Sequence, residues 1–146
     1  MGFFSKLFGG GAEKEYPALD AASSAAQDIE KFRPQLETLI KKIDDKYEVV
    51  PSGKALYTFL GNPPGMFGMV WFLENDPAEH NMKSLMAKKG LGQKKIDSIM
   101  IKLRTAYTEA EAEARFSTQV AGKKIIVIPS ETLAEKLYKI LHTMDE

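Results

Sequence analysis

Cysteine is absent from this chain of 146 residues, which excludes disulfides, thiolate metal sites and a cysteine nucleophile. Histidine is scarce. His80 and His142 are far apart in sequence and form neither an HxH nor an HExxH spacing, so no metal site is expected. Neither sign of charge is in excess, because 20 basic and 20 acidic side chains cancel. Such a balance argues against a dedicated nucleic-acid binder, although it permits a local basic patch. Long apolar runs are lacking too. The run Met69–Leu73 falls far short of the roughly 20 residues of a membrane span, and the N-terminus has no apolar signal-peptide core. Catalytic motifs are missing: no serine has the glycine flanks of a nucleophile elbow. Ser52-Gly53-Lys54-Ala55 lacks the upstream glycine and the following hydroxyl of a Walker loop. The carboxylates of Asp44-Asp45 and of Glu74, Asp76 and Glu79 read as helix ends and caps. The expectation is a cytoplasmic, non-enzymatic protein with no catalytic residues, cofactor or metal.

The chain is organised around KALYTFLGNPPGMFGMVWFLE, Lys54 to Glu74. Two aromatic-rich apolar runs flank Gly-Asn-Pro-Pro-Gly, which predicts paired strands joined by a stiff loop. With period two, Ala55, Tyr57 and Phe59 share one face, and Leu56 and Leu60 the other. In the second run Phe67, Met69, Trp71 and Leu73 oppose Val70 and Phe72. Both faces are apolar, so the hairpin is either covered on both sides or covered on one and docked on the other.

Around this centre the pattern is helical from Pro17 to about Lys46, where Leu19, Ala22, Ala26, Ile29, Phe32, Leu36, Ile40 and Ile43 recur at spacings of three and four. Pro34 interrupts the stripe, predicting one kinked helix or two collinear ones. Beyond the hairpin, Asp76, Pro77 and Glu79 have the order of a helix cap and capping box. The helix they start ends at Gly90. A second helix from Gln93 carries Ile96, Ile99, Met100, Leu103 and Tyr107, with a solvated tail in which Glu111 is spaced to pair with Arg115. Phe116, Thr118 and Val120 alternate with polar residues as a half-exposed strand. Gly122-Lys123-Lys124 turns the chain into Ile125–Ile128, and Ser130 caps a last helix bearing Leu133, Leu137, Leu141 and Met144. The expected fold is α+β: an antiparallel sheet of about four strands in two hairpins, with four or five amphipathic helices, ordered α-β-β-α-α-β-β-α. It occupies residues 17–146 as a single domain.

Residues 1–16 form a separate segment in this reading. Phe3, Phe4, Leu7 and Phe8 are spaced to share one face of a short helical turn, and Gly9–Gly11 separates it from the rest. So short a helix forms only against a surface, so residues 2–8 are expected to contact a protein partner or the inner face of a membrane. Pro63 and Pro64 stiffen the hairpin loop, and Met66 and Phe67 follow directly. A rigid loop beside such side chains loses little entropy on docking and suits protein–protein contact. The leading functional expectation is therefore an adaptor, assembly factor or accessory subunit of a larger complex.

Leu85–Met100 offers an alternative, a nucleic-acid-binding protein, and an enzyme without a recognisable motif stands third. Helix, Gly90-Leu91-Gly92 and a second helix with Ile96 and Ile99 resemble a helix-hairpin-helix motif. The resemblance implies that the Gly90 and Gly92 turn presents backbone N–H groups to a DNA phosphate, with Lys94 and Lys95 adding charge. Lys88 stands where that family packs an apolar residue, and no proline precedes Gly90.

Overall fold

The computed structural model describes residues 15–142; Phe3, Phe4, Leu7, Phe8 and Met144 lie outside them. Among the described residues the order is α1 (Ser24–Lys31), α2 (Arg33–Lys42), β1 (Tyr47–Pro51), β2 (Ala55–Gly61), β3 (Phe67–Leu73), β4 (His80–Asn81), α3 (Met82–Lys89), α4 (Gln93–Glu109), β5 (Phe116–Val120), β6 (Lys123–Val127) and α5 (Glu131–His142). The class is α+β, as the sequence predicts. The sheet is larger than predicted, with six strands in the order β4-β3-β2-β1-β6-β5, and it is mixed.

The central hairpin forms as read. Tyr57 lies opposite Trp71, Phe59 opposite Met69 and Leu56 opposite Phe72. Both faces are covered. Ala55, Tyr57, Phe59, Met69 and Trp71 pack with Leu85, Ile99, Leu103, Leu133 and Leu137 of α3, α4 and α5. Leu56, Leu60, Val70 and Phe72 pack with Ile29, Phe32, Leu36 and Leu39 of α1 and α2 or the residue joining them. Trp71 keeps only 3% of its surface exposed. The docked-face alternative is therefore excluded for this sheet.

β1 is the main element that the sequence pattern missed. Tyr47-Glu48-Val49-Val50-Pro51 follows the helical stripe and has no alternation, because Val49 and Val50 enter the cores on opposite faces. Its pairing with β6 is parallel, Glu48 opposite Ile126 and Val49 opposite Val127. A parallel partner so distant in sequence leaves no local signature.

Local capping explains the other differences. Asp76 does not start a helix. Asn75 takes a left-handed φ of 63°, and His80 and Asn81 pair with Trp71 and Val70 as the edge strand β4. Asn81 then makes the capping box of α3, its Oδ1 accepting from the Ser84 N–H at 2.8 Å. At the other end of the stripe, Pro17 to Leu19 is extended against β5: the Ser117 N–H donates to the Pro17 carbonyl at 2.9 Å, and the Leu19 N–H to the Ser117 carbonyl at 2.8 Å. The helical stripe breaks at Phe32, and Pro34 falls in the first turn of α2, where its missing N–H costs nothing. The last hairpin turns one residue earlier than expected. Ala121 (φ 53°) and Gly122 (φ 77°) form the turn, and Lys123 and Lys124 already belong to β6.

Arg115 is not part of a solvated tail. Its side chain is 9% exposed, with Nε 3.8 Å from Glu48. Its Nη1 donates to the Ala110, Glu111 and Glu113 carbonyls at 3.1–3.3 Å. The guanidinium thus neutralises the C-terminal end of α4, and Glu111 offers its backbone rather than its carboxylate.

Candidate functional site

The loop between β2 and β3 is held from several directions. The Asn62 N–H donates to the Met66 carbonyl at 2.9 Å, and the Gly65 N–H to the Asn62 carbonyl at 2.8 Å. Gly61 has φ 102°, and a Cβ there would stand 2.9 Å from the Met66 carbonyl oxygen, so only glycine fits. Lys46 Nζ reaches Asn62 Oδ1 at 3.3 Å. From α4, Arg104 Nε donates to the Pro64 carbonyl at 2.7 Å, and its guanidinium lies 5.8 Å from the Phe67 ring centroid. The Pro63–Pro64 bond is cis.

The two expected contact residues at this tip divide. Phe67 turns inward, 5.5 Å from the Phe59 ring and half-buried. Met66 points out, 90% exposed, on a backbone fixed before and after it. Pro64 is exposed beside it, and Pro63 is half-buried. Arg104 was missed by sequence reading because 40 residues separate it from the carbonyl it holds. Tyr16 lines one groove with Pro63, Lys46, Lys123 and Ile126.

The Gly90–Lys95 turn forms as a helix–turn–helix element. Gly90 ends α3 in the left-handed region at φ 64°, and its N–H bonds the Met86 carbonyl. Gly92 is the N-cap of α4, with no side-chain cap. Lys94 and Lys95 are exposed and have no ion pair among the described residues. Lys88 is exposed rather than packed, and the half-buried Leu91 anchors the turn.

At the opposite end of the sheet is a cleft of about 810 Å³. It opens where the parallel β1 and β6 end, between the N-termini of α1 and α5. Ser23 and Ser130 cap these helices, their Oγ atoms accepting from the Ala26 and Leu133 N–H groups at 3.2 and 3.1 Å. Tyr57 lines the cleft floor, and Tyr138, 45% exposed, lines its wall. Burial, and then the neighbouring Tyr138, push the Tyr57 phenol well above the usual tyrosine range, so it is neutral at any ordinary pH. Ser52, Gly53 and Lys54, which fail as a Walker loop, form one rim of this cleft. The only legible signal for it was the Ser130 cap.

The histidines take structural places. His80 stacks on Trp71 with centroids 6.0 Å apart, and its Nε2 lies 2.9 Å from Asp76 Oδ2. The bond from the Ala78 N–H, and then His80, lower the Asp76 pKa. His142 stacks on Tyr138 at 4.2 Å. Among the described residues no group of His, Asp or Glu is placed to hold a metal ion, and no helix is long and apolar enough to cross a membrane. No protein-family model, no curated protein and no solved structure matches this chain.

Proposed function

We propose that this protein is a non-enzymatic interaction module, an adaptor, assembly factor or accessory subunit, that docks a partner protein through the Pro63-Pro64-Gly65-Met66 tip. The observation that carries the reading is Met66, 90% exposed on a loop whose backbone is pinned by its own hydrogen bonds and by Arg104. A side chain presented on fixed backbone binds without a large ordering cost, which is how small anchors supply affinity. The occupant is a protein with an apolar pocket rather than a bilayer, because Asn62, Pro64 and Gly65 around Met66 offer no broad apolar face. Phe3, Phe4, Leu7 and Phe8 are proposed as a second apolar contact element.

The test compares the chains that co-purify from the native host with the unchanged protein, Met66→Leu and Met66→Asp. A defined partner retained by the leucine variant and lost by the aspartate variant supports the reading, provided circular dichroism shows both variants folded. A partner set indifferent to Met66→Asp overturns it. Deleting residues 1–10 is expected to weaken the same association while leaving the melting temperature nearly unchanged.

A further inference from the structure

The cleft at the other end of the sheet is floored by a tyrosine whose hydroxyl has no protein partner among the described residues. Tyr57 is 1% exposed, and its hydroxyl makes no hydrogen bond among the described residues, yet it lines the cleft. The hydroxyl is not among the fully buried unpaired polar atoms, so it meets the solvent of the cleft, and a ligand atom bonding to it would take the place of water there.

The charges around this hydroxyl are of both signs. Glu131 and Lys54 line the cleft and make no ion pair among the described residues. The other charged groups there are already engaged, though loosely: Asp28 lies 3.8 Å from Lys31, and Glu135 lies 3.9 Å from Lys139. A simple anion would meet Asp28, Glu131 and Glu135, and a simple cation would meet Lys54 and Lys139. Only a ligand carrying both charges satisfies the two free groups together. Ala25 and Ala134 keep the walls low, and the Tyr138 ring offers an apolar surface. The volume of about 810 Å³ lies within the usual range for small-molecule sites. The open carboxyl ends of parallel strands between helix N-termini are also a common position for ligands in α/β sheets.

We infer that this cleft binds a small zwitterion of the amino-acid class. The ligand's ammonium group faces Glu131, its carboxylate faces Lys54 and the first-turn N–H groups, and a polar atom reaches the Tyr57 hydroxyl. The site does not depend on the Met66 tip and lies at the opposite end of the sheet, so the two readings fail separately.

The probes are phenylalanine and glutamine as zwitterions, with 3-phenylpropionate and phenethylamine as analogues of phenylalanine lacking one charge each. Binding to the full chain is followed by backbone amide shifts. At least one zwitterion is expected to saturate at millimolar concentration or below, with shifts confined to residues 52–57, 24–28 and 129–139. Each single-charge analogue is expected to bind about tenfold more weakly, as is phenylalanine to Glu131→Gln and to Lys54→Gln, since loss of one charged hydrogen bond amounts to roughly that factor. Tyr57→Phe keeps the ring and should weaken binding with little effect on melting. Should it fail to fold, the two exposed-charge variants still decide the matter. Saturation by neither zwitterion, shifts elsewhere, or equal binding of the single-charge analogues would overturn the assignment.

Discussion

Removing the Tyr107 hydroxyl tests how β1, the strand invisible to pattern, is fixed in the middle of the sheet. Tyr107 of α4 donates to Glu48 Oε1 of β1 at 2.7 Å. Arg115 lies 3.8 Å from the same oxygen, with side-chain exposures of 9% for the arginine and 15% for the glutamate. The guanidinium also sits 5.5 Å from the Tyr107 ring centroid. Tyr107→Phe deletes one hydrogen bond to a largely buried carboxylate, a loss of about 1.5–3 kcal/mol. Glu48→Gln leaves an acceptor for Tyr107 but strips Arg115 of its counter-charge. Three carbonyls still hold the guanidinium, so the cost should fall below the roughly 3–5 kcal/mol of a fully orphaned buried ion, near 2 kcal/mol. Because both substitutions act on one carboxylate, the double variant should be less destabilised than their sum by about 1 kcal/mol. Urea unfolding of the four proteins at pH 7, with unchanged m-values, measures all three quantities. Single losses below about 0.5 kcal/mol, or strict additivity, would refute a coupled network at this position.

Thr58 is fully buried on β2, and its hydroxyl has no partner among the described residues. Thr58→Val preserves the shape and removes the unmet polar atom, so thermal unfolding should reveal a gain of about 1 kcal/mol; a loss would mean the hydroxyl is satisfied. Tyr47 is pushed up to about 12, chiefly by burial and then by Asp45, Asp44 and Glu79. Tyr107 is raised further, again by burial first and then by its bond to Glu48. A raised folded pKa stabilises below the unfolded value near 10 and is lost above it, so stability should be level up to about pH 10 and fall towards pH 12. Ultraviolet titration should show late-ionising tyrosines released together with unfolding, and early, fully reversible ionisation of all five tyrosines would contradict this. Duplex DNA should bind the Gly90–Lys95 turn weakly and without sequence preference at most, and Lys94→Glu with Lys95→Glu should abolish any low-salt binding; binding that survives excludes the turn as the phosphate site.

The sequence by itself determined the elements whose cause is local. The two-faced hairpin is legible because period two places Tyr57 and Trp71 on one side and Leu56 and Phe72 on the other, and the structure covers both. The Gly90 stop and the Ser130 cap are legible because one residue's conformation or hydroxyl decides each. The stiff loop could be read from its prolines, but not that Arg104 would hold it, or that Met66 would point out while Phe67 packs inward. Those outcomes depend on α4 crossing beside the loop. The same holds for β1, whose strand character comes from β2 and the remote β6 rather than from its own residues. His80 reads as the first turn of a helix, and stacking on Trp71 draws it into the sheet instead. The cleft is the extreme case: Lys54, Tyr57, Glu131 and Tyr138 come from a turn, a strand and a helix. Hydrogen bonds within a turn or cap act over a few residues and leave a pattern in sequence; pairing of distant strands and packing of helices across a sheet bring together residues whose spacing in the chain carries no trace of their contact.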